Sequence, residues 1–148
     1  MKKFLILILS IGFVACSSDT ATEQKLGDCV FGEIVGQWKL IKSEQMGIDE
    51  HGEFKLFTSY YNLENVIYDF QDNGILIISG GQNPGYSAGE YAYIFEEDYI
   101  GYPIGNEPKV WQVEIGQSNY LYNCVNGTMI LGQSYVDGTD LFFKRILE

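Results

Sequence analysis

The chain of 148 residues carries three cysteines, Cys16, Cys29 and Cys124, and a single histidine, His51. A catalytic nucleophile needs a base beside it, and no serine–histidine or cysteine–histidine arrangement can be argued around one imidazole in a charged loop. Asp49, Glu50, His51 and Glu53 gather oxygen and nitrogen donors. They lack the glycine-punctuated spacing of an EF-hand loop and a second histidine, so they read as a solvated loop. Glu96-Glu97-Asp98 reads as a solvated turn. Gly80-Gly81 and Gln82-Asn83-Pro84-Gly85 have neither the G-x-G-x-x-G nor the Walker spacing, and form a loop without a phosphate cradle. Asn126-Gly127-Thr128 matches the N-glycosylation triplet, but Asn-Gly is first a two-residue turn signal. No catalytic residue, metal or cofactor is expected, and the chain does not read as an enzyme. The chemistry that remains belongs to sulfur.

Cys16 closes a distinctive run. Lys2 and Lys3 give a positive start, residues 4–13 are apolar except for Ser10 and Gly12, and Val14-Ala15 end the run on a small residue. This is the order of a secretory signal, and it falls short of the ~20 apolar residues that span a bilayer. With cysteine in the first mature position, Phe13-Val14-Ala15-Cys16 resembles the lipobox of a bacterial lipoprotein. The resemblance implies that residues 1–15 are a signal peptide, cut before Cys16, and that Cys16 is acylated on its sulfur and its new amine. Ser17 stands where an inner-membrane retention signal would place Asp. By resemblance to Gram-negative sorting, a cell-envelope protein anchored in the outer membrane is expected, on its periplasmic or its surface face. Residues 16–28 are polar and without period, and read as a tether. Within them Asp19-Thr20-Ala21 resembles a short bacterial O-glycosylation acceptor, with Thr20 as the modified residue; a plain linker is the other reading.

Charge narrows the partners. The formal net charge is −11, and it becomes more negative once Lys2 and Lys3 leave with the signal. So acidic a domain repels phosphate backbones, which sets nucleic acid aside, and it does not adhere electrostatically to anionic lipid. Membrane attachment falls to the acyl chains.

The elements that position everything else are strands. The chain has 11 Tyr, 9 Phe and 17 Gly, and no long segment repeats apolar residues at helical spacing. Alternation appears at Trp38 and Leu40, at Val66, Tyr68 and Phe70, at Tyr91, Tyr93 and Phe95, and at Trp111, Val113 and Ile115. Short strand-like runs follow turn signals at residues 75–78, 129–131 and 141–146, and residues 120–122 lead into one. Asp72-Asn73-Gly74, Asn126-Gly127 and Asp137-Gly138 supply tight turns. Eight strands joined mostly by short turns predict an all-β, eight-stranded antiparallel up-and-down barrel over residues 29–148, which removes its own sheet edges. An immunoglobulin-like sandwich is the rival. Residues 46–65 are too long for a simple hairpin and predict a helix or lid.

Gly36-Gln37-Trp38 at the opening of the first strand, with a basic residue near the end of the last, resembles a lipocalin. It resembles more closely the lipocalin-like domains carried on bacterial lipoproteins. The hairpin from Tyr68 through Asp72-Asn73-Gly74 to Leu76, and the closing strand Leu141-Phe142-Phe143-Lys144-Arg145-Ile146, fit the same group. The resemblance implies a structural role for Gly36, with Trp38 lying across the closed end beneath Arg145 in a cation–π contact.

Barrel topology then places other residues. Cys29 precedes the first strand and Cys124 ends the sixth, so both fall near the closed base. Export permits oxidation, and the two are either a disulfide or two buried thiols. Loops after odd-numbered strands share the open end and carry Phe54, Phe57, Tyr60, Tyr61 and Tyr86, with Tyr68, Tyr91 and Tyr93 lining the interior below. Such aromatics suit a small apolar or glycan ligand. The expected function is therefore a monomeric, lipid-anchored envelope protein binding such a ligand at the open end. The alternative is a non-catalytic structural or protein-interaction module whose tyrosines fill the barrel.

Overall fold

A computed structural model describes residues 26–81, 84–102 and 105–147. The expected signal, Cys16, Thr20 and most of the tether lie outside the described residues. Ten antiparallel strands form one sheet: β1 (Leu26–Gly27), β2 (Gly36–Ile48), β3 (Phe54–Tyr60), β4 (Ile67–Phe70), β5 (Ile75–Ser79), β6 (Gly89–Asp98), β7 (Val110–Ile115), β8 (Ser118–Val125), β9 (Thr128–Gly132) and β10 (Asp140–Ile146). Neighbours in sequence pair from β4 through β10, and β10 returns to pair with β2 from Asp140↔Glu44 to Arg145↔Trp38. The sheet thus closes into an eight-stranded up-and-down barrel of β2 and β4–β10, and the sandwich alternative does not apply. Among the described residues the helical content is one short 3₁₀ turn, Ser134–Val136.

The other two strands are extensions of the wall. β1 takes over the edge of β10 where β9 stops, pairing Leu26↔Ile146 and Gly27↔Arg145. β3 does the same for β2, which pairs with β4 through Lys39 and with β3 from Lys42 to Ile48. Residues 46–65 therefore hold no helix. They form the outer half of a β2–β3 hairpin, because Phe54-Lys55-Leu56-Phe57-Thr58-Ser59-Tyr60 is rich in strand-forming residues and finds a free edge on β2. The hairpin turn is set by Asp49, whose carboxylate accepts the His51 and Glu53 amides at 2.8 and 3.0 Å.

Alternation packs the interior. Trp38, Leu40, Tyr68, Phe70, Leu76, Val113, Ile115, Met129, Leu131 and Phe143 have no exposed surface. Each such side chain stabilises by ~1.5–3 kcal/mol relative to an exposed one. Tyr68 meets Phe143 edge-on at 4.9 Å and Phe70 meets Tyr93 at 5.0 Å. The register of β2 slips by one residue at Ile41, where Leu40 pairs with Phe143 and Lys42 with Phe142. This bulge changes the phase, so the next inward residue after Leu40 is Ser43.

Candidate functional site

The open end gathers a layer of phenols. Tyr120 Oη donates to Tyr86 Oη at 3.2 Å, and Tyr86 Oη donates to the Ile115 carbonyl at 3.1 Å. Tyr86 also packs edge-on against Tyr91 at 5.1 Å, and the Tyr91 hydroxyl donates to the Ser87 carbonyl at 2.9 Å. Ser43, turned inward by the bulge, lies 3.2 Å from Tyr61 Oη. Tyr68 sits below, fully buried and within electrostatic reach of Tyr86, Tyr91 and Tyr61. Burial, and then these neighbours, push its hydroxyl well above the usual phenol range. Burial does the same to Tyr120, reinforced by its bond to Tyr86. The layer is uncharged, partly hydrogen-bonded within itself, and offers ring faces with hydroxyl tips.

Of the eight residues expected to form a ligand site, Tyr61, Tyr68, Tyr86 and Tyr91 come together in this layer. Tyr93 does not join them: its hydroxyl donates to the Gln71 carbonyl at 2.6 Å, in the β4–β5 turn. Tyr120 and Ser43 belong to the layer and were missed. Tyr120 alternates with Tyr122, which was a usable signal, whereas Ser43 reaches the interior through the bulge.

Phe54, Phe57 and Tyr60 stand apart, on the hairpin. Strand register puts Tyr60, Leu56 and Phe54 on one face, opposite Lys42, Met46 and Ile48 of β2. Phe57 lies on the other face, its ring close against Gly47, where a Cβ would fall 2.9 Å from it. Phe54 is 80% exposed, Tyr60 69% and Ile48 63%. Toward its tip this face therefore exposes a cluster of large apolar side chains, Met46, Ile48, Phe54 and Leu56, and Thr58 with the Lys42–Glu44 ion pair separates it from Tyr60. The outer edge of β3 carries no further strand among the described residues. His51, with Glu50 3.6 Å away, is exposed at the hairpin tip.

The opposite end is closed by residues 28–35. Tyr122 Oη donates to the Val30 and Glu33 carbonyls, each at 3.0 Å, and Trp38 Nε1 donates to the Ile34 carbonyl at 2.6 Å. The Arg145 guanidinium lies over the Trp38 ring at 5.4 Å, donates to the Val35 carbonyl at 3.1 Å and pairs with Glu33 at 3.4 Å. Gly36 has φ +124°, and a Cβ there would sit 3.4 Å from Arg145 Nη2, so both backbone and space favour glycine. Cys29 and Cys124 are joined by a disulfide, their Cα atoms 6.0 Å apart.

Two of the hollows among the described residues lie outside the barrel interior. One of about 50 Å³ is on the outer wall beside Ile94 and Gln112. The other, about 390 Å³, is an open groove at the base lined by Gly36, Gln37, Asp69, Arg145, Ile146 and Leu147. Neither opens into the phenol layer. No group of three histidine, cysteine or carboxylate side chains gathers to hold a metal among the described residues. No protein-family model, curated protein or solved structure matches this chain.

Proposed function

We propose that the protein is a lipid-anchored, non-catalytic interaction module of the cell envelope, held in the outer membrane through Cys16. Its barrel serves as a side-chain-filled scaffold, and its β2–β3 hairpin takes an extended segment of another envelope protein. The observation that carries this reading is the hairpin itself. Met46, Ile48, Phe54 and Leu56 share one uncovered face beside the free edge of β3. A strand added at that edge gains main-chain hydrogen bonds, and the apolar cluster selects its side chains. Asp49, Glu50 and Glu53 at the tip complement a segment with basic residues. The anchor rests on the order of residues 1–16.

A photo-crosslinker placed at Ser59 on the β3 edge, in cells, tests the reading. It should give a discrete adduct that is lost in the Phe54→Ser/Leu56→Ser variant, with barrel stability unchanged. Adducts indifferent to that double change, or equal to those from a crosslinker on the outer wall at Glu114, would overturn it.

A second reading, a small glycan bound at the open end, is favoured by the convergence of the Tyr61, Tyr86, Tyr91 and Tyr120 hydroxyls. The ring faces there suit a sugar better than an acyl chain, because fully buried side chains occupy the barrel beneath them. Native mass spectrometry of protein from its own host would show a retained sugar on the wild type and its loss in Tyr86→Ala.

A further inference from the structure

Apolar side chains are also uncovered at the base, on the elements from which the chain departs toward Cys16. We infer that the base of the barrel rests on the surface of the bilayer that holds the anchor, an inference that depends on acylation of Cys16. Leu26, Val30, Phe31, Val35, Tyr102 and Val125 are all exposed, Phe31 at 60% and Tyr102 at 94%. Each belongs to a segment that begins, ends or crosses at the closed end: β1, residues 28–35, the β6–β7 loop and the end of β8. Phe31 leans on the Tyr122 ring at 5.9 Å and leaves most of its own surface exposed among the described residues. Exposed groups of this kind mark a surface that meets something apolar.

Chain length decides what that is. β1 is fixed to the base by its pairing with Arg145 and Ile146. The stretch from Cys16 to Leu26 reaches about 35 Å when fully extended. A coil of that length averages about 18 Å from end to end. An acyl chain on Cys16 therefore holds the base within a short distance of the lipid, at high effective concentration. β2 runs about 40 Å from Gly36 to Ile48, and at the tilt of barrel strands it rises about 30 Å along the axis. An inverted molecule would need the tether drawn out close to its full length, whereas the base meets lipid well within it.

Charge permits this. The two acids of the closing segment are countered, Asp28 by Lys144 at 3.3 Å and Glu33 by Arg145 at 3.4 Å. The remaining acidity of the molecule opposes anionic lipid and favours a zwitterionic surface. The contact is shallow: Tyr102, an aromatic body with a polar tip, suits the headgroup boundary, and the apolar Phe31 ring enters just beneath it.

The molecule carries its own reporters, because Trp38 and Trp111 both lie at the base, Trp111 stacked on Phe95 at 4.5 Å and facing Gly32. The full chain, processed and acylated in a Gram-negative host, would be reconstituted into phosphatidylcholine vesicles with brominated or ordinary acyl chains and floated. Floated protein should lose tryptophan emission in brominated vesicles, and Phe31→Ser/Tyr102→Ser should float equally while losing less. A Phe54→Trp variant, reporting from the hairpin, should show no added quenching. Protein that floats with emission equal in both lipids, or with quenching confined to the Phe54→Trp reporter, overturns the inference and leaves the anchor standing. Protein that does not float at all overturns the anchor and the inference with it.

Discussion

Tyr68 and Tyr120 are phenols whose neutral form the fold protects. Burial is the first cause for both, with neighbouring tyrosines second, and burial also raises the hydroxyls of Tyr93 and Tyr122 above the usual value of 10.0. For an acid raised on folding, the stabilising contribution is complete below the unfolded value and is lost as pH climbs through the folded one. Alkaline titration should therefore leave the barrel intact up to about pH 10 and unfold it above that. Phenolate absorbance from the buried tyrosines should appear together with the loss of β circular dichroism. If their absorbance rises fully while the barrel signal persists, the layer is open to solvent. Arg145 makes the other test at this scale. Arg145→Ala removes a ring contact, a carbonyl bond and an ion pair at once, and should cost about 1–3 kcal/mol in denaturant unfolding. Arg145→Lys should recover only part, since lysine lacks the planar fork that serves a ring and a carbonyl together. Trp38 beneath Arg145 was legible because Gly36-Gln37-Trp38 opens the first strand. The separate fates of Tyr91 and Tyr93 were not, because alternation gives a face and says nothing of which hydroxyl finds which carbonyl.

At the level of elements, period-two alternation together with short apolar runs bounded by Asn-Gly and Asp-Gly turns located every strand of the barrel wall, because each has one face in the core. It failed for β3 for the same reason. Phe54, Leu56 and Phe57 lie outside the core, so their spacing reflects no inner face, and strand identity came from pairing with β2 instead. The bulge at Ile41 was equally hidden, since it depends on the partner strand β10. The closing segment 28–35 is held by bonds to its carbonyls, by burial of Ile34 and by two ion pairs, and the Cys29–Cys124 disulfide ties it to β8 across a separation of 95 residues. Linking so distant a pair limits the unfolded chain by up to ~5 kcal/mol in the entropy model. Cys29→Ser/Cys124→Ser should lower the denaturant midpoint by a corresponding amount, and reduction of the wild type should match it. The β circular dichroism should survive in dilute buffer, because the wall strands pair without the closing segment. An unchanged midpoint would mean that the hydrogen bonds and Tyr122 hold the base unaided.

The molecule has two uncovered apolar ends, and on the inference above its orientation follows from which end the chain leaves. With the base directed to lipid, the β2–β3 hairpin points away from the membrane, where a partner strand can reach it without crossing headgroups. All of this hangs on one sulfur. Acylation requires a thiol at the mature N-terminus, so Cys16→Ser should abolish incorporation of a fatty-acid analogue. The base alone is a weak membrane ligand: a few exposed side chains, no acyl chain, and a net charge of −11 over the full chain that opposes anionic headgroups. The variant should therefore accumulate as an uncut precursor or as soluble protein, while the wild type enters the detergent phase on Triton X-114 partitioning. The barrel itself should be indifferent, with the same β signal and the same denaturant midpoint, since Cys16 precedes the first barrel strand in sequence and the other two cysteines bond each other. If Cys16→Ser still takes up label and partitions with detergent, the anchor lies elsewhere, and the upright orientation argued from the tether falls with it.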